Sequence, residues 1–391
     1  MSVWAISVGK AITPQLEIQD AVVLVDGSRI LAVGPRDEVH VPANAHRVDA
    51  SGMTLMPGFV DVHVHGAGGH DVMEATPEAL SAIATTLARG GTTSFLATTV
   101  TAEPRGLCNG AEGIARYIAS QSRQIELTRP CAEILGIHFE GPFISQARRG
   151  VHPAQWIAAP SPELLGKMLA AAGGTARILT LAPETQGGLD LITEACQAGV
   201  IVALGHTDAT YEQATEAIAY GARHAAHVFN AMRPFSHRET GVLGAVLTSP
   251  RVTAELIADG VHVDSAAMKL LLAAKTAGGV ILVSDGTAAT GMPDGRYRLG
   301  DFDVDVARGV VRNAEGKLAG SALTLDQALR NVVALGVPLD EGVRMLTFYP
   351  ARLLGLEARK GTLAAGADAD LVFLDAQLRI SRVVTRGVGL D

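Results

Sequence analysis

The chain contains 391 residues, of which 48% are hydrophobic and 4% aromatic, and its formal net charge is -8 at pH 7. This length accommodates one large domain and one smaller domain with a substantial core. Because the charge is negative and the sequence has no long basic run, we expect neither nucleic acid nor an anionic membrane as partner, and an anionic small substrate would need a local cationic group.

The N-terminal segment, MSVWAISVGKAITPQLEIQD, has acidic residues soon after a lysine and no uninterrupted apolar run, which is unlike a signal peptide. No apolar stretch approaches the length that crosses a bilayer. Cys108, Cys131 and Cys196 lie far apart without a CxxC pair, which is typical of ordinary packing in a reducing compartment. We therefore expect a soluble cytoplasmic protein.

Both ends of the chain have the composition of β-strands. DAVVLVDGSRILAVG contains two β-rich runs that join at Asp26 and Gly27, a strong hairpin signal. Near the other end, ADLVFLDAQLRISRVVTRG alternates apolar and polar residues. We predict that residues 1–53 and 350–391 together form a small β-sandwich domain, and that residues 54–349 form the main domain.

The middle of the chain alternates between strand-like and helix-like segments. In TPEALSAIATTLARG, Thr76 can cap a helix whose first residue is Pro77. We find about eight strand-then-helix units, of which the sixth is the weakest, and this pattern predicts an α/β fold with a (β/α)8 barrel of the TIM type. The strand-like runs are LMPGFVDVHVH, TTSFLATTV, EILGIHFEG, ARILTLAPE, GVIVALGH, HAAHVFNA, VTAELIADG and GVILVSDG.

Polar side chains with metal-binding capacity lie in or just after these apolar runs. They are His63, His65, Glu140, His206, His227, His262 and Asp285. Active sites of such barrels form at the carboxyl ends of the strands. His63 and His65 point the same way because side chains two apart on a strand share a face. Imidazole and carboxylate ligands favour zinc, iron, cobalt or manganese, so we predict a divalent metal site at the barrel mouth.

Other histidines and glycines have more ordinary interpretations. His138 repeats the two-residue spacing with Glu140, and we interpret it as a hydrogen-bonded core residue or a residue that supports a ligand. His224 lies on the opposite side of its strand from His227, which favours packing. HGAGGHD lacks the lysine and the spacing of a phosphate-binding P-loop, so it is better explained as a strand-to-helix loop.

The ordered set of motifs resembles the N-acetylglucosamine-6-phosphate deacetylases, a family within the amidohydrolase superfamily. The set covers nearly the whole chain and is specific as a group. The motifs are PGFVDVHVHG, GIHFEGPFIS, LAPE, GHTDAT, HVFNAM, DGVHV, SDGTAATGMPDG and GTLAAGADADLVFLD. The resemblance implies removal of an acetyl group from a phosphorylated amino sugar, with one or two divalent ions per subunit, most often zinc or iron.

The resemblance also implies a role for individual residues. Glu140, His206 and His227 match the ligands of a first metal ion, and His63, His65 and Asp285 match those of a second. Asp285 matches the catalytic aspartate, and His262 matches a histidine that contacts the substrate and polarises its carbonyl. The remaining matches concern the sugar and its phosphate: His152, Asn230, Ala231 and Arg238, the last acting from the neighbouring subunit of a homodimer.

Three other functions stay open from the sequence. The closest is deacetylation of N-acetylgalactosamine 6-phosphate, which differs at one hydroxyl group. Another amidohydrolase activity, such as N-acyl-amino-acid deacylation or cyclic-amide hydrolysis, often uses a bridging lysine on a barrel strand, where this chain has Glu140. An inactive binding or scaffold protein is disfavoured because the predicted ligands and Asp285 are all present.

Overall fold

The computed structural model describes residues 3–121, 129–275 and 278–390. The strands are β1 (Val3–Ile12), β2 (Glu17–Asp26), β3 (Arg29–Pro35), β4 (His46–Pro57), β5 (Phe59–Val64), β6 (Gly66–Ala67), β7 (His70–Asp71), β8 (Thr92–Thr99), β9 (Glu133–Glu140), β10 (Ala176–Leu181), β11 (Ile201–Leu204), β12 (His224–Ala225), β13 (Thr253–Leu256), β14 (Val280–Leu282), β15 (Gly295–Leu299), β16 (Phe302–Ala307), β17 (Val310–Asn313), β18 (Leu371–Leu374) and β19 (Ile380–Val384).

The α-helices are α1 (Pro77–Arg89), α2 (Pro104–Gln121), α3 (Pro162–Ala171), α4 (Gly188–Gln197), α5 (Tyr211–Tyr220), α6 (Gly241–Thr248), α7 (Ser265–Ala274), α8 (Leu325–Ala334), α9 (Leu339–Leu346) and α10 (Phe348–Leu353). Short 3-10 helices lie at Val72–Glu74, Gln146–Arg148 and Ala154–Trp156. Among the residues that the structure describes, no helix has the length and apolar character needed to span a bilayer.

The main domain is the predicted barrel. Within the described ranges, eight parallel strands pair in the order β5-β8-β9-β10-β11-β12-β13-β14. A parallel bridge between Val64 and Gly286 links the segment after β14 back to β5 and so brings the ends of the sheet together. Every residue of β5 and β8 is buried, as expected for parallel strands that are covered by helices. The sixth strand, β12, is only two residues long, in line with its weak sequence signal.

Helix α1 begins where the sequence predicts and packs its apolar face on the barrel. At the start of α1, the Thr76 hydroxyl accepts a hydrogen bond from the Ala79 amide at 3.2 Å, and Pro77 occupies the first helical position. Leu80, Ile83 and Leu87 of this helix are buried at helical spacing. The cap and the apolar face together explain why the segment forms a helix here rather than continuing as a loop.

The chain ends form the second unit, again as predicted. In the part of the chain that the structure describes, its sheet has six strands in the order β19-β18-β4-β1-β2-β3. Strand β4 continues past residue 53 to Pro57, which pairs with Leu371 of β18. Alternate residues of β2 face opposite sides: Val23 belongs to one apolar cluster and Val22 to another. Both faces of this sheet are therefore covered.

A buried ion cluster connects the two units. The Lys360 side chain is 1% exposed, and its ammonium nitrogen lies 2.7 Å from carboxylate oxygens of Glu133 and Asp370 and 2.8 Å from Asp368. Burial opposes the charge, but the carboxylates outweigh it and raise the pKa of Lys360. Glu133 begins β9 of the barrel and Asp370 immediately precedes β18, so the cluster holds the end sheet against the barrel.

An additional sheet follows β14, in a segment for which the sequence analysis made no prediction. Strands β15, β16 and β17 are antiparallel neighbours, and we call residues 295–318, which contain them, the flap. Leu299, Val304 and Val311 of the flap pack against Val100, which follows β8, and against Val151. These apolar contacts place the flap over one side of the barrel mouth.

Candidate active site

Glu140 is the centre of the cluster at the barrel mouth. Its Oε1 lies 2.8 Å from His227 Nε2 and 3.0 Å from His206 Nε2. Its Oε2 lies 3.3 Å from His65 Nε2. All of these side chains are buried. Four side chains therefore meet at one place. They come from four different barrel strands or from the turns that follow those strands.

Asp285 lies on the other side of this carboxylate. Its Oδ1 is 3.3 Å from His65 Nε2 and 3.7 Å from His63 Nε2. Potential ligand atoms of His63, His65 and Asp285 all lie within 4.8 Å of one another, as do those of His63, Glu140 and His227. These two groups share His63, and each is of a size that could hold one divalent ion.

The hydrogen bonds of the imidazole rings show whether these groups fit a metal ion. His65 Nδ1 lies 3.0 Å from the Thr98 carbonyl, and His206 Nδ1 lies 3.0 Å from the Arg148 carbonyl. A carbonyl only accepts, so Nδ1 carries the proton and Nε2 of the neutral ring presents a lone pair. That lone pair faces the carboxylate oxygens of Glu140. Acceptors facing acceptors require a positive charge between them, and a divalent cation fits this donor set.

The electrostatics of the site lead to the same inference. Burial opposes charge on His65, but hydrogen bonds with Asp285 and Glu140 outweigh it and raise its pKa to about 9. Burial would also raise the pKa of Asp285, yet the neighbouring rings of His65 and His63 lower it. For His206 burial prevails and lowers the pKa to about 4, which keeps the ring neutral. The carboxylates therefore draw positive charge to His65 Nε2, as a proton that a bound ion would replace, whereas His206 is already a neutral nitrogen ligand.

Four residues at the mouth have an uncommon backbone conformation with a positive φ angle, which sets the direction of their side chains. The φ angles are +48° at His206, +26° at His227, +50° at Ala231 and +50° at Asp285. Residues other than glycine rarely occupy this left-handed region, and such residues are found mainly at functional sites. His206, His227 and Asp285 each lie just beyond a barrel strand. The sharp turn at each strand end aims its side chain into the mouth.

Glu255, which the sequence analysis did not select, supports the cluster from below. It lies in β13 and is fully buried. Its Oε2 accepts hydrogen bonds from His63 Nδ1 and from the His227 amide, both at 2.9 Å. Its Oε1 lies 2.9 Å from Nε2 of His224. A carboxylate on Nδ1 orients the ring and increases the basicity of Nε2, which is the usual partner of a metal-binding histidine.

His138 and His224 agree with the roles expected for them. Both ring nitrogens of His138 have partners, the Val62 carbonyl at 3.0 Å and the Thr180 hydroxyl at 2.8 Å. His224 is buried between Thr253 and Glu255. Neither ring lines the cavity at the mouth.

His262 is held by a carboxylate that the sequence analysis also missed. Its Nδ1 lies 2.7 Å from Asp259 Oδ2, and its backbone amide donates to Asp259 Oδ1 at 2.8 Å. Burial would raise the pKa of Asp259, but His262 lowers it. The carboxylate holds the ring through Nδ1 and so fixes its orientation. His262 faces the cavity and is therefore placed to contact a substrate oxygen.

The cavity above the cluster has a volume of about 280 Å³. It brings together most of the predicted substrate contacts, including His152, Asn230 and Ala231. His152 also lies against the cluster, since its Nδ1 accepts from the Thr101 amide at 3.2 Å and its Nε2 is 3.2 Å from Glu140. Lining residues that the sequence analysis did not name are Val100, Gly150, Val151, Leu299, Lys317, Leu318 and Gly320.

Arg238 is the one predicted site residue outside this assembly among the described residues. It is exposed and does not line the cavity of its own chain. It lies in a short turn in which its amide donates to the Ser236 hydroxyl at 3.3 Å. Its predicted role in a neighbouring subunit stays a prediction.

Comparisons with known proteins agree with this geometry. A family model described as the amidohydrolase family matches residues 54–388. The chain is 39% identical over 342 residues to the N-acetylglucosamine-6-phosphate deacetylase of Lysinibacillus sphaericus, covering 87% of this chain and 86% of that relative. It is 38% identical over 374 residues to the N-acetylgalactosamine-6-phosphate deacetylase of Escherichia coli O157:H7, covering 95% and 93% of the two chains.

A solved structure shows the same relationship in three dimensions. It is a variant of N-acetyl-D-glucosamine-6-phosphate deacetylase from Mycobacterium smegmatis in complex with N-acetyl-D-glucosamine 6-phosphate. It matches this chain with a TM-score of 0.90 at 39% identity, and the match covers 99% of both chains. The chain therefore belongs to the amidohydrolase family, in the group that contains the N-acetylglucosamine-6-phosphate deacetylases.

Proposed function

We propose that this protein is a metal-dependent deacetylase that converts N-acetylglucosamine 6-phosphate to glucosamine 6-phosphate and acetate, a step of amino-sugar catabolism. The observation that carries the proposal is the buried cluster of Glu140 with His206 and His227 beside Asp285, at the floor of a cavity. Relatives with this name are similar to the chain over most of its length.

The proposed metal centre has two neighbouring sets of ligands. Glu140, with His206 and His227 close to its Oε1, would hold one divalent ion, and His63, His65 and Asp285 would hold a second. Zinc and iron both suit this mixture of imidazole and carboxylate. A bound ion would lower the pKa of water from about 15.7 to about 7 and polarise the acetyl carbonyl.

Asp285 is the proposed acid and base. Its low pKa keeps the carboxylate ionised and able to take a proton from the attacking water. The same carboxyl group would then deliver that proton to the amide nitrogen as the bond to the acetyl carbon breaks. His262 would donate a hydrogen bond from Nε2 to the carbonyl oxygen, where negative charge develops. Asp259 holds this ring in position through Nδ1.

The remaining residues are assigned to the sugar and its phosphate. We propose that Asn230 and Ala231 contact the phosphate and that His152 contacts the sugar, since all three line the cavity. Arg238 is proposed to reach the phosphate in the neighbouring subunit of a homodimer, because it is exposed in its own chain. The free thiols of Cys108, Cys131 and Cys196 suit the proposed cytoplasmic location.

A deacetylation panel tests the proposed activity. The metal-loaded protein is given both 6-phosphorylated N-acetylhexosamines, their unphosphorylated forms and several N-acyl amino acids, and acetate release is measured. We expect fastest turnover of N-acetylglucosamine 6-phosphate. Activity confined to the N-acyl amino acids would refute the sugar-phosphate assignment.

The galactosamine substrate is a second candidate because one relative, at 38% identity, is named for it. The panel separates the two sugars, which differ only in the configuration of one hydroxyl group.

A matched variant tests the mechanism. Asp285→Asn should retain the fold and the ion bound by Glu140, His206 and His227, because it preserves the shape of the side chain. Turnover should fall by about 10²–10⁴-fold, since the amide cannot accept the proton. Turnover near that of the wild type would remove Asp285 from this role. Metal content measured on the same sample distinguishes loss of chemistry from loss of the ion.

A further inference from the structure

The charges that line the active-site cavity are unevenly distributed. Glu140 and Asp285 are acidic, and several lining residues are histidines. Among the described residues that line the cavity, Lys317 is the one that carries a permanent positive charge. Within this described lining, a phosphate group would therefore meet one fixed cation, which belongs to the flap rather than to the barrel.

We propose that Lys317 binds the phosphate of the substrate and makes the site specific for phosphorylated sugars. This inference rests on the proposed function and adds a phosphate contact within the same subunit. An ammonium group on a flexible stem presents three donors, which suits a phosphate as a point charge. The Lys317 side chain is 52% exposed, so it reaches from the rim of the cavity and can follow the ligand as it enters.

The backbone of Lys317 is held in place by Asn313. Asn313 Oδ1 accepts hydrogen bonds from the amides of Glu315 at 3.1 Å and Lys317 at 3.0 Å. The Asn313 amide donates to the Lys317 carbonyl at 2.9 Å. Leu318, the next residue, lines the cavity together with Leu299 of the same flap. The lysine therefore projects from an anchored turn, which reduces the entropy that is lost when its side chain binds an anion.

In the structure, the ammonium group of Lys317 forms an ion pair with Glu315. The Nζ atom lies 2.7 Å from Glu315 Oε2, and the glutamate side chain is 60% exposed. Such surface ion pairs contribute little because water and salt screen them. A phosphate carries up to two negative charges and can displace or share this contact. Glu315 thus competes with the substrate for Lys317, and its removal should have the opposite effect from removal of the lysine.

Three variants of the metal-loaded protein test the proposal: Lys317→Gln, Glu315→Gln and, as a control, Lys269→Gln on the exposed face of α7. Binding of glucosamine 6-phosphate and of glucosamine is measured by calorimetry, and KM and kcat are measured with the acetylated forms. Lys317→Gln should weaken binding of the phosphorylated sugar by roughly tenfold and raise its KM, with little change for the unphosphorylated sugar.

The other variants should differ from this in defined ways. Glu315→Gln should strengthen binding of the phosphorylated sugar, and Lys269→Gln should leave both sugars unaffected. Unchanged binding of glucosamine 6-phosphate by Lys317→Gln, or an equal loss for both sugars, would overturn the proposal. These binding measurements do not depend on turnover. A selective loss of phosphorylated ligand without deacetylation in the panel would therefore support Lys317 and refute the proposed reaction.

Discussion

Replacing Glu255 by glutamine is expected to weaken the second metal ion while preserving the fold. The glutamine keeps an oxygen that can accept from His63 Nδ1 and the His227 amide, both now 2.9 Å from Glu255 Oε2. The amide nitrogen of the glutamine would face His224 Nε2 and donate to it. The proton of the His224 ring would then lie on Nδ1, where the Thr253 hydroxyl, 2.6 Å away, can accept it. The hydrogen bonds can therefore be retained, and the charge is what is lost.

The size of the effect follows from the role of the carboxylate. Removal of such a partner of a metal-binding histidine costs about 10–100-fold in affinity, which is about 1.4–2.7 kcal/mol. Glu255 contacts the ring of His63 but only the backbone of His227. The loss should therefore fall mainly on the ion held by His63, His65 and Asp285, and less on the ion held by Glu140.

The assay is competition with a chelator of known affinity, combined with metal analysis after dialysis. We expect Glu255→Gln to retain one ion under conditions in which the wild type retains more. Glu112→Gln, which removes a carboxylate from the exposed side of α2, is the control and should bind metal like the wild type. A circular dichroism spectrum and unfolding temperature establish that the fold is intact. Wild-type affinity and stoichiometry in folded Glu255→Gln would refute this reasoning.

Three further changes probe other parts of the molecule. Lys360→Met should lower the free energy of unfolding by about 3–5 kcal/mol, because it leaves buried carboxylates unpaired. Urea unfolding measures this loss, and a smaller loss would mean that water reaches the cluster. Burial raises the pKa of Asp61 to about 7 from 3.8, so this carboxyl group contributes stability that is complete below the unfolded pKa and is lost as pH rises through about 7. Asp61→Asn should therefore become more stable relative to the wild type between about pH 4 and pH 7. Urea unfolding at both values checks this, and a constant difference would contradict the shift. Asp259→Asn should lower kcat by about tenfold or more with unchanged metal content, since His262 loses its carboxylate partner; steady-state kinetics on metal-analysed protein test this.

Much of the site could be predicted because its residues are chemically out of place in their surroundings. His63, His65 and Glu140 lie in otherwise apolar runs, where a polar side chain needs a partner. The barrel pattern then placed the carboxyl ends of all the strands at one face. Local spacing and fold class together were sufficient to bring these residues to the same cluster.

Residues whose roles depend on distant partners could not be found in this way. Glu255 lies in the apolar run VTAELIADG. A lone acidic residue in a buried strand requires a partner, but the sequence does not show which residue that partner is. Lys317 lies in a polar turn of ordinary composition, so no local pattern distinguishes it. Its position over the mouth depends on the packing of Leu299 against Val100, which joins segments that are far apart in the chain.

The sheet built from both chain ends has a consequence for the timing of synthesis. Strand β4 pairs with β1 on one side and with β18 on the other. During translation β1 to β4 can associate early, but the β18 edge of β4 stays unpaired until the barrel sequence has left the ribosome. Contacts between such distant segments form slowly, and an open strand edge invites pairing with other chains. This edge of the nascent sheet is therefore open to pairing with other chains until Leu371–Leu374 is synthesised.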